Sequence, residues 1–203
     1  MKSQLIGLCG AALLCAALSG CGSESSQQKP AAAGKIAKTY AESNTAAFCS
    51  QLAERQLSAE FSSYYQGELT ANVTFAVSGD QLHVRTEYQD SGQVAEVYFS
   101  ADGCSVMRKG ELVPLSSENR YSAQSDPEGK ALCAYFFNTD TAPADMQFVS
   151  AQKADGVITE HFTLPGSGRE MIFCYDSETG ALLSDSSGDS EQRFTAISQN
   201  AGG

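Results

Sequence analysis

The chain has 203 residues, with 24 acidic side chains against 13 basic ones and a formal net charge of -11. That surplus argues against binding nucleic acid and against electrostatic docking on anionic lipid headgroups. Tryptophan is absent and only two histidines occur, which narrows the options for sugar stacking and for acid–base catalysis.

The chain opens on Met1-Lys2, and an apolar run follows from Leu5 to Leu18. This run falls short of the roughly 20 apolar residues that a spanning helix needs. A basic start, a short apolar stretch and small residues at its end predict a secretory signal over residues 1–20. The end of that signal, Leu18-Ser19-Gly20-Cys21, resembles the lipobox of bacterial lipoproteins. The resemblance implies a lipid on the Cys21 thiol and cleavage just before it. Cys9 and Cys15 each follow a leucine, too bulky for the cleavage position, whereas Cys21 follows two small residues. Acyl chains contribute about 0.8 kcal/mol per buried CH₂, so two or more of them anchor stably. The expectation is therefore an extracytoplasmic protein, lipid-anchored to a bacterial membrane (cell membrane or outer membrane). After Cys21, residues 22–34 are Ser-, Gln- and Ala-rich and cannot bury enough surface to fold. Residues 21–34 thus read as the lipidated cysteine and a flexible tether.

Residues 35–203 give room for a single domain. Its first element is a predicted helix over Ile36 to Gln51, where Ile36, Tyr40, Ala47 and Phe48 recur at helical spacing and Asn44-Thr45 weakens the middle. The period then changes. Leu57, Ala59, Phe61, Ser63 and Tyr65 alternate with polar residues, as one face of a strand does. Further alternating runs follow from Leu69 to Val77, Leu82 to Tyr88, Val94 to Phe99, Cys104 to Met107 and Leu112 to Leu115. Short turns at Gln66-Gly67, Gly79-Asp80, Ser91-Gly92, Asp102-Gly103 and Lys109-Gly110 separate them, and such pairs allow the positive φ angles of tight hairpins. Ser116 to Gly129 is polar and irregular, and Lys130 to Asn138 is an apolar stretch readable as helix or buried strand. Strands resume at Met146–Ala151, Val157–Leu164, Glu170–Tyr175, Ala181–Ser184 and Arg193–Ile197. The predicted class is α+β. It is a curved antiparallel meander with an N-terminal helix and a helical or irregular insert packed on it, since so large a sheet must curl or be covered.

Four cysteines remain after processing: Cys49, Cys104, Cys133 and Cys174. An even number in an exported chain predicts two disulfides, with three pairings open. Zinc is the competing reading, but the wide scatter lacks the close ligand pairs of a zinc site. Four reduced, buried thiols are the other reading.

The order of elements resembles the LolA/LolB and LppX/LprG class of lipoprotein carriers and lipid-binding lipoproteins. The likeness runs from about Ile36 to Ile197. It rests on the helix from Ile36, the strand pairs around Gly79-Asp80 and Asp102-Gly103, and the hairpin Phe173-Cys-Tyr-Asp-Ser-Glu-Thr-Gly180-Ala-Leu-Leu183. It implies an unclosed antiparallel half-barrel with helices in its mouth and a lipid-binding cavity between sheet and helices. If alternation holds, Phe61, Phe75, Phe99, Phe162 and Phe173 line the concave side. There they either hold acyl chains or form a filled core.

No catalytic set emerges. His83 and His161 lie in strands and read as surface or boundary residues. Gly166-Ser167-Gly168 is a turn without a nucleophile context. The acidic stretch Asp185-Ser-Ser-Gly-Asp189-Ser-Glu191 lacks calcium-loop spacing and reads as a solvated turn. The sequence thus predicts a non-enzymatic, membrane-anchored domain that takes a lipid or other hydrophobic ligand and needs neither cofactor nor metal. The alternative is an envelope protein–protein interaction module.

Overall fold

The computed structural model describes residues 36–199. The signal, Cys21 and the tether lie outside the described residues. The chain forms one 11-stranded antiparallel sheet, unclosed, with two α-helices among the described residues.

Residues Asn44–Ala53 form α1, ahead of the strands. Helix formation starts later than the periodicity of Ile36 and Tyr40 predicts. Tyr40–Glu42 is instead a short 3-10 turn, and the Ser43 side chain accepts the Ala46 N–H as an N-cap at 2.9 Å. A capping serine fixes the first turn behind it. Asn44 and Thr45 therefore begin the helix rather than weaken its middle.

The first meander runs through β1 (Gln56–Tyr65), β2 (Glu68–Ser78), β3 (Gln81–Tyr88), β4 (Val94–Ser100), β5 (Gly103–Arg108) and β6 (Glu111–Ser116). The second runs through β7 (Gln147–Ala154), β8 (Val157–Thr163), β9 (Glu170–Asp176), β10 (Leu182–Ser187) and β11 (Ser190–Gln199). Two-residue hairpins join several neighbours. At Gln66-Gly67, Lys109-Gly110 and Asp155-Gly156 both residues have positive φ. That is the turn whose twist matches paired strands.

The seam between the two meanders lies at the centre of the sheet, where β1 pairs with β11. The edges are consequently β6 and β7. The chain leaves the sheet at one edge and must re-enter at the other, so the segment between Ser116 and Gln147 has to cross a face. Helix α2 (Lys130–Phe136) lies in that crossing.

The crossing also reports how strongly the sheet curls. Tyr135 packs on Phe99 of β4 with ring centroids 6.0 Å apart. Phe137, two residues on, packs on Phe173 of β9 at 4.9 Å. Strands β4 and β9 are six positions apart in the sheet, about 29 Å if it were flat. Side chains two residues apart reach both only because the sheet wraps around them.

The insert ahead of α2 is held by one buried cation. Arg55 follows α1 with a φ of 55° and is only 5% exposed. Its guanidinium donates to the carbonyls of Ala53, Tyr121, Ser122 and Asp126. The Asp126 carboxylate in turn accepts the Leu132 N–H of α2 at 2.9 Å. Gly129 completes the junction, because a Cβ there would lie 2.6 Å from the Ala53 Cβ. Helix α2 is thus docked on the end of α1 by polar ties at one end and by its aromatic rings at the other.

Candidate functional site

The concave face is aromatic. Phe61, Phe75, Phe99, Phe162 and Phe173 all point inward and are buried, as strand alternation predicts. Their partners are the protein's own rings. Phe136 of α2 stands at the centre, against Phe61 at 6.0 Å, Phe75 at 4.9 Å, Phe194 at 5.5 Å and Phe48 of α1 at 5.2 Å. In this state the two helices occupy the space between sheet and mouth. The five phenylalanines form a packed core there with the rings of the two helices.

Helix α1 is fixed into the face by a carboxylate. Glu160 sits at an inward position of β8, between Ile158 and Phe162, and is fully buried. Its oxygens accept the backbone N–H groups of Asn44 and Thr45 at 2.7 and 3.0 Å. They also accept the Asn44 amide at 3.0 Å and the Thr45 hydroxyl at 2.7 Å. Tyr175 donates to the same hydroxyl oxygen at 2.9 Å. Burial and the Glu160 charge push the Tyr175 phenol well above its ordinary range. An anion at the N-terminus of a helix meets unpaired N–H groups and the positive end of the helix dipole. Glu160 is fully bonded, so its role is to seat α1.

The cysteines correct the expectation of two disulfides. All four are free thiols. Cys104 lies on the concave face of β5, across from Phe99. Cys174 faces outward on β9, beside Thr159 at 4.0 Å. On opposite faces of the sheet these two cannot be bridged. Cys49 of α1 and Cys133 of α2 are within hydrogen-bond reach of each other, and burial together with that neighbour raises the Cys133 thiol well above its ordinary value.

The histidines lie on the convex face. His83 stacks on Tyr98 at 4.3 Å and approaches Glu96 at 3.3 Å. His161 meets Glu170 at 2.7 Å. The ring nitrogens of the two histidines pair with Glu96, Gln152 and Glu170.

Two clefts open at the mouth beside the C-terminal end of α2. One, of about 550 Å³, is lined by Arg120, Tyr121, Tyr135, Asn138 and Arg169 among others. The other, of about 160 Å³, is lined by Tyr64, Asn138, Arg169, Asp185 and Gln192 among others. They share Asn138 and Arg169 and so adjoin. Three buried side-chain atoms lack a hydrogen-bond partner among the described residues: Tyr121 Oη, Asp185 Oδ2 and Gln192 Oε1. All three belong to residues lining these clefts. Unsatisfied buried polar atoms are few in native structures and tend to mark where a ligand or water belongs.

Asp185 overturns a sequence expectation. The stretch from Asp185 to Glu191 is not a solvated turn, because Asp185–Ser187 complete β10 and Ser190-Glu191 open β11. Asp185 is only 4% exposed. Its carboxyl is pushed well above the usual range by burial and then by the nearby Glu191 charge.

No family model matches the chain, and no curated protein matches it. One solved structure, described as PNGF-II in a P21 space group, superposes with a TM-score of 0.32 and 10% identity over 72% of this chain. The match spans only 29% of that protein's length. So weak a likeness carries no argument about function.

Proposed function

We propose that this chain is a lipid-anchored, non-enzymatic envelope protein of the half-barrel carrier type. Its ligand is an amphiphile whose apolar part takes the place of the α2 side chains on the concave face. The observation that carries this reading is the way that face is closed. An inward aromatic surface is covered chiefly by the rings of Tyr135, Phe136 and Phe137, presented by a seven-residue helix and its first following residue. A helix so short is not stable by itself. Its N-cap is Gly129 in the left-handed conformation, with no side-chain cap. Beyond the Asp126 bond to the Leu132 N–H at its N-terminal end, its ring-bearing end is held by apolar contacts that an acyl chain can replace at similar gain per area. The clefts at its C-terminal end give the entry. The resemblance to the LolA/LppX class and the lipobox at Cys21 support the same reading.

The test is native mass spectrometry of the protein purified from its own host, in which an added mass lost on solvent extraction is expected. A mutant with a disulfide engineered between α2 and β2 should carry none. Ligand-free protein in both cases would defeat the reading. For the anchor, Cys21→Ser should release the protein from membranes.

A second reading as an interaction module rests on the edges. Leu112 and Leu115 of β6 are more than half exposed, and Pro114 between them removes a backbone donor. A partner there would meet side chains rather than extend the sheet. Proximity labelling that returned one dominant envelope protein would favour it.

A further inference from the structure

We propose that the mouth beside α2 recognises a zwitterionic phosphoethanolamine-type head group. Asp185 and Gln192 hold its ammonium, and Arg169 holds its phosphate. The inference rests on the amphiphile reading above and names the chemistry of the polar end.

The ammonium side follows from two orphaned acceptors. Asp185 and Gln192 are cross-strand partners in register on β10 and β11. Directly opposed residues on one face hold their side chains close together. Asp185 Oδ2 and Gln192 Oε1 are both buried and both without a donor among the described residues. Two neighbouring acceptors call for a species that donates more than once. An alkylammonium offers three N–H donors and a positive charge. A metal ion is the poorer fit. Among the described residues no group of three acidic, histidine or cysteine side chains is placed to hold one.

The phosphate side follows from Arg169. Its guanidinium has no ion-pair partner among the described residues, and it lines both clefts. Arg120 stands in the larger cleft, stacked over the Tyr121 ring at 4.9 Å. An arginine fork is suited to phosphate oxygens. Size agrees as well. The smaller cleft holds about 160 Å³, the space of roughly five waters. That is the scale of a small head group and not of an acyl chain, which the concave face would receive.

The physical cost of keeping Asp185 supports a ligand role. A buried carboxyl with no bonded partner destabilises the fold once it ionises. Such groups persist where binding needs them. An arriving ammonium favours the ionised carboxylate and forms the ion pair with it.

The test uses the full chain in a glycoside detergent, titrated by calorimetry with four probes: O-phosphoethanolamine, inorganic phosphate, dihexanoyl-phosphatidylethanolamine and dihexanoyl-phosphatidylglycerol. Phosphoethanolamine should bind at least tenfold more tightly than phosphate. Asp185→Asn should weaken phosphoethanolamine and phosphatidylethanolamine tenfold or more while leaving phosphatidylglycerol unchanged. Arg169→Ala should weaken all four. Thermal melts confirm that each variant is folded. Equal binding of the two lipids by wild type and by Asp185→Asn would overturn the ammonium site while leaving the amphiphile reading intact. Binding of soluble phosphoethanolamine that depends on Asp185, without any gain from acyl chains, would support the site and defeat the amphiphile reading.

Discussion

Glu160 on β8 and Thr45 on α1 are joined by two hydrogen bonds, one to the Thr45 N–H at 3.0 Å and one to its hydroxyl at 2.7 Å. The other carboxylate oxygen takes the same pair of bonds from Asn44. One buried anion thus satisfies both N–H groups that open the helix. Glu160→Ala would leave these donors and the Thr45 hydroxyl without their acceptor, at a cost of about 3 kcal/mol or more. Glu160→Gln would present an amide donor to other donors and should be nearly as costly. Denaturant midpoints measure both. A loss below about 1 kcal/mol would mean that α1 is seated by its apolar side chains alone.

Phe136 is the ring that closes the concave face. Truncation to alanine should destabilise by about 3–5 kcal/mol, as for other buried phenylalanines. It should also leave an apolar void between Phe61, Phe75 and Phe194. Such voids stay dry and take small apolar ligands. Benzene or indole should therefore raise the melting temperature of Phe136→Ala and leave wild type unmoved. If neither protein responds, α2 has collapsed into the space, and its rings are not exchangeable for a ligand.

The legible parts of this fold were those with an unbroken period. The five inward phenylalanines follow from alternation, and the tight turns follow from glycine and its neighbour at Gln66-Gly67, Lys109-Gly110 and Asp155-Gly156. The start of α1 was misplaced because Ile36 and Tyr40 mimic helical spacing, while the decisive signal was Ser43 as cap. Glu160 had a readable signal, an acid at an inward position between Ile158 and Phe162. Asp185 had none. The register between β9 and β10 shifts between Leu182 and Ser184, so an odd offset from Leu182 points inward where strict alternation would turn it to solvent. The mouth was hidden for a further reason. It depends on where residues 117–146 cross the sheet, and that follows from the β1–β11 seam and from nothing local.

Cys49 and Cys133 are the two thiols that the fold brings together. Under a disulfide oxidant such as oxidised glutathione, they should lose two protons and two electrons to it and form one bridge between α1 and α2. Cys104 and Cys174 should remain thiols. Alkylation in denaturant followed by peptide mass mapping should find those two modified and the Cys49–Cys133 peptides linked. A Cys104–Cys174 link would contradict the opposite facing of β5 and β9. A bridge should also hold α2 against α1 and slow ligand uptake, if uptake requires α2 to move.

Asp185 should tie stability to pH in a direction opposite to that of a salt-bridged carboxylate. Its carboxyl is raised by burial and by Glu191 of β11. The Asp185 charge acts in turn on Tyr175 of β9, and Tyr64 of β1 and Arg169 line the same cleft. The unfolded carboxyl titrates near about 3.9. With the folded value above that, the contribution is fully present below the unfolded value and is lost as pH rises through the folded one. In that window the unfolded state holds fewer protons at this group, so stability falls by at most about 1.4 kcal/mol per pH unit. Asp185→Asn removes the ionisation. It should melt close to wild type at about pH 4 and several degrees above it at about pH 8. Melting curves collected across that range, with and without phosphoethanolamine, separate the two roles of the side chain. The ligand should narrow the gap at high pH by stabilising only the wild type. A variant that melts lower than wild type at every pH would instead make Asp185 a structural bond.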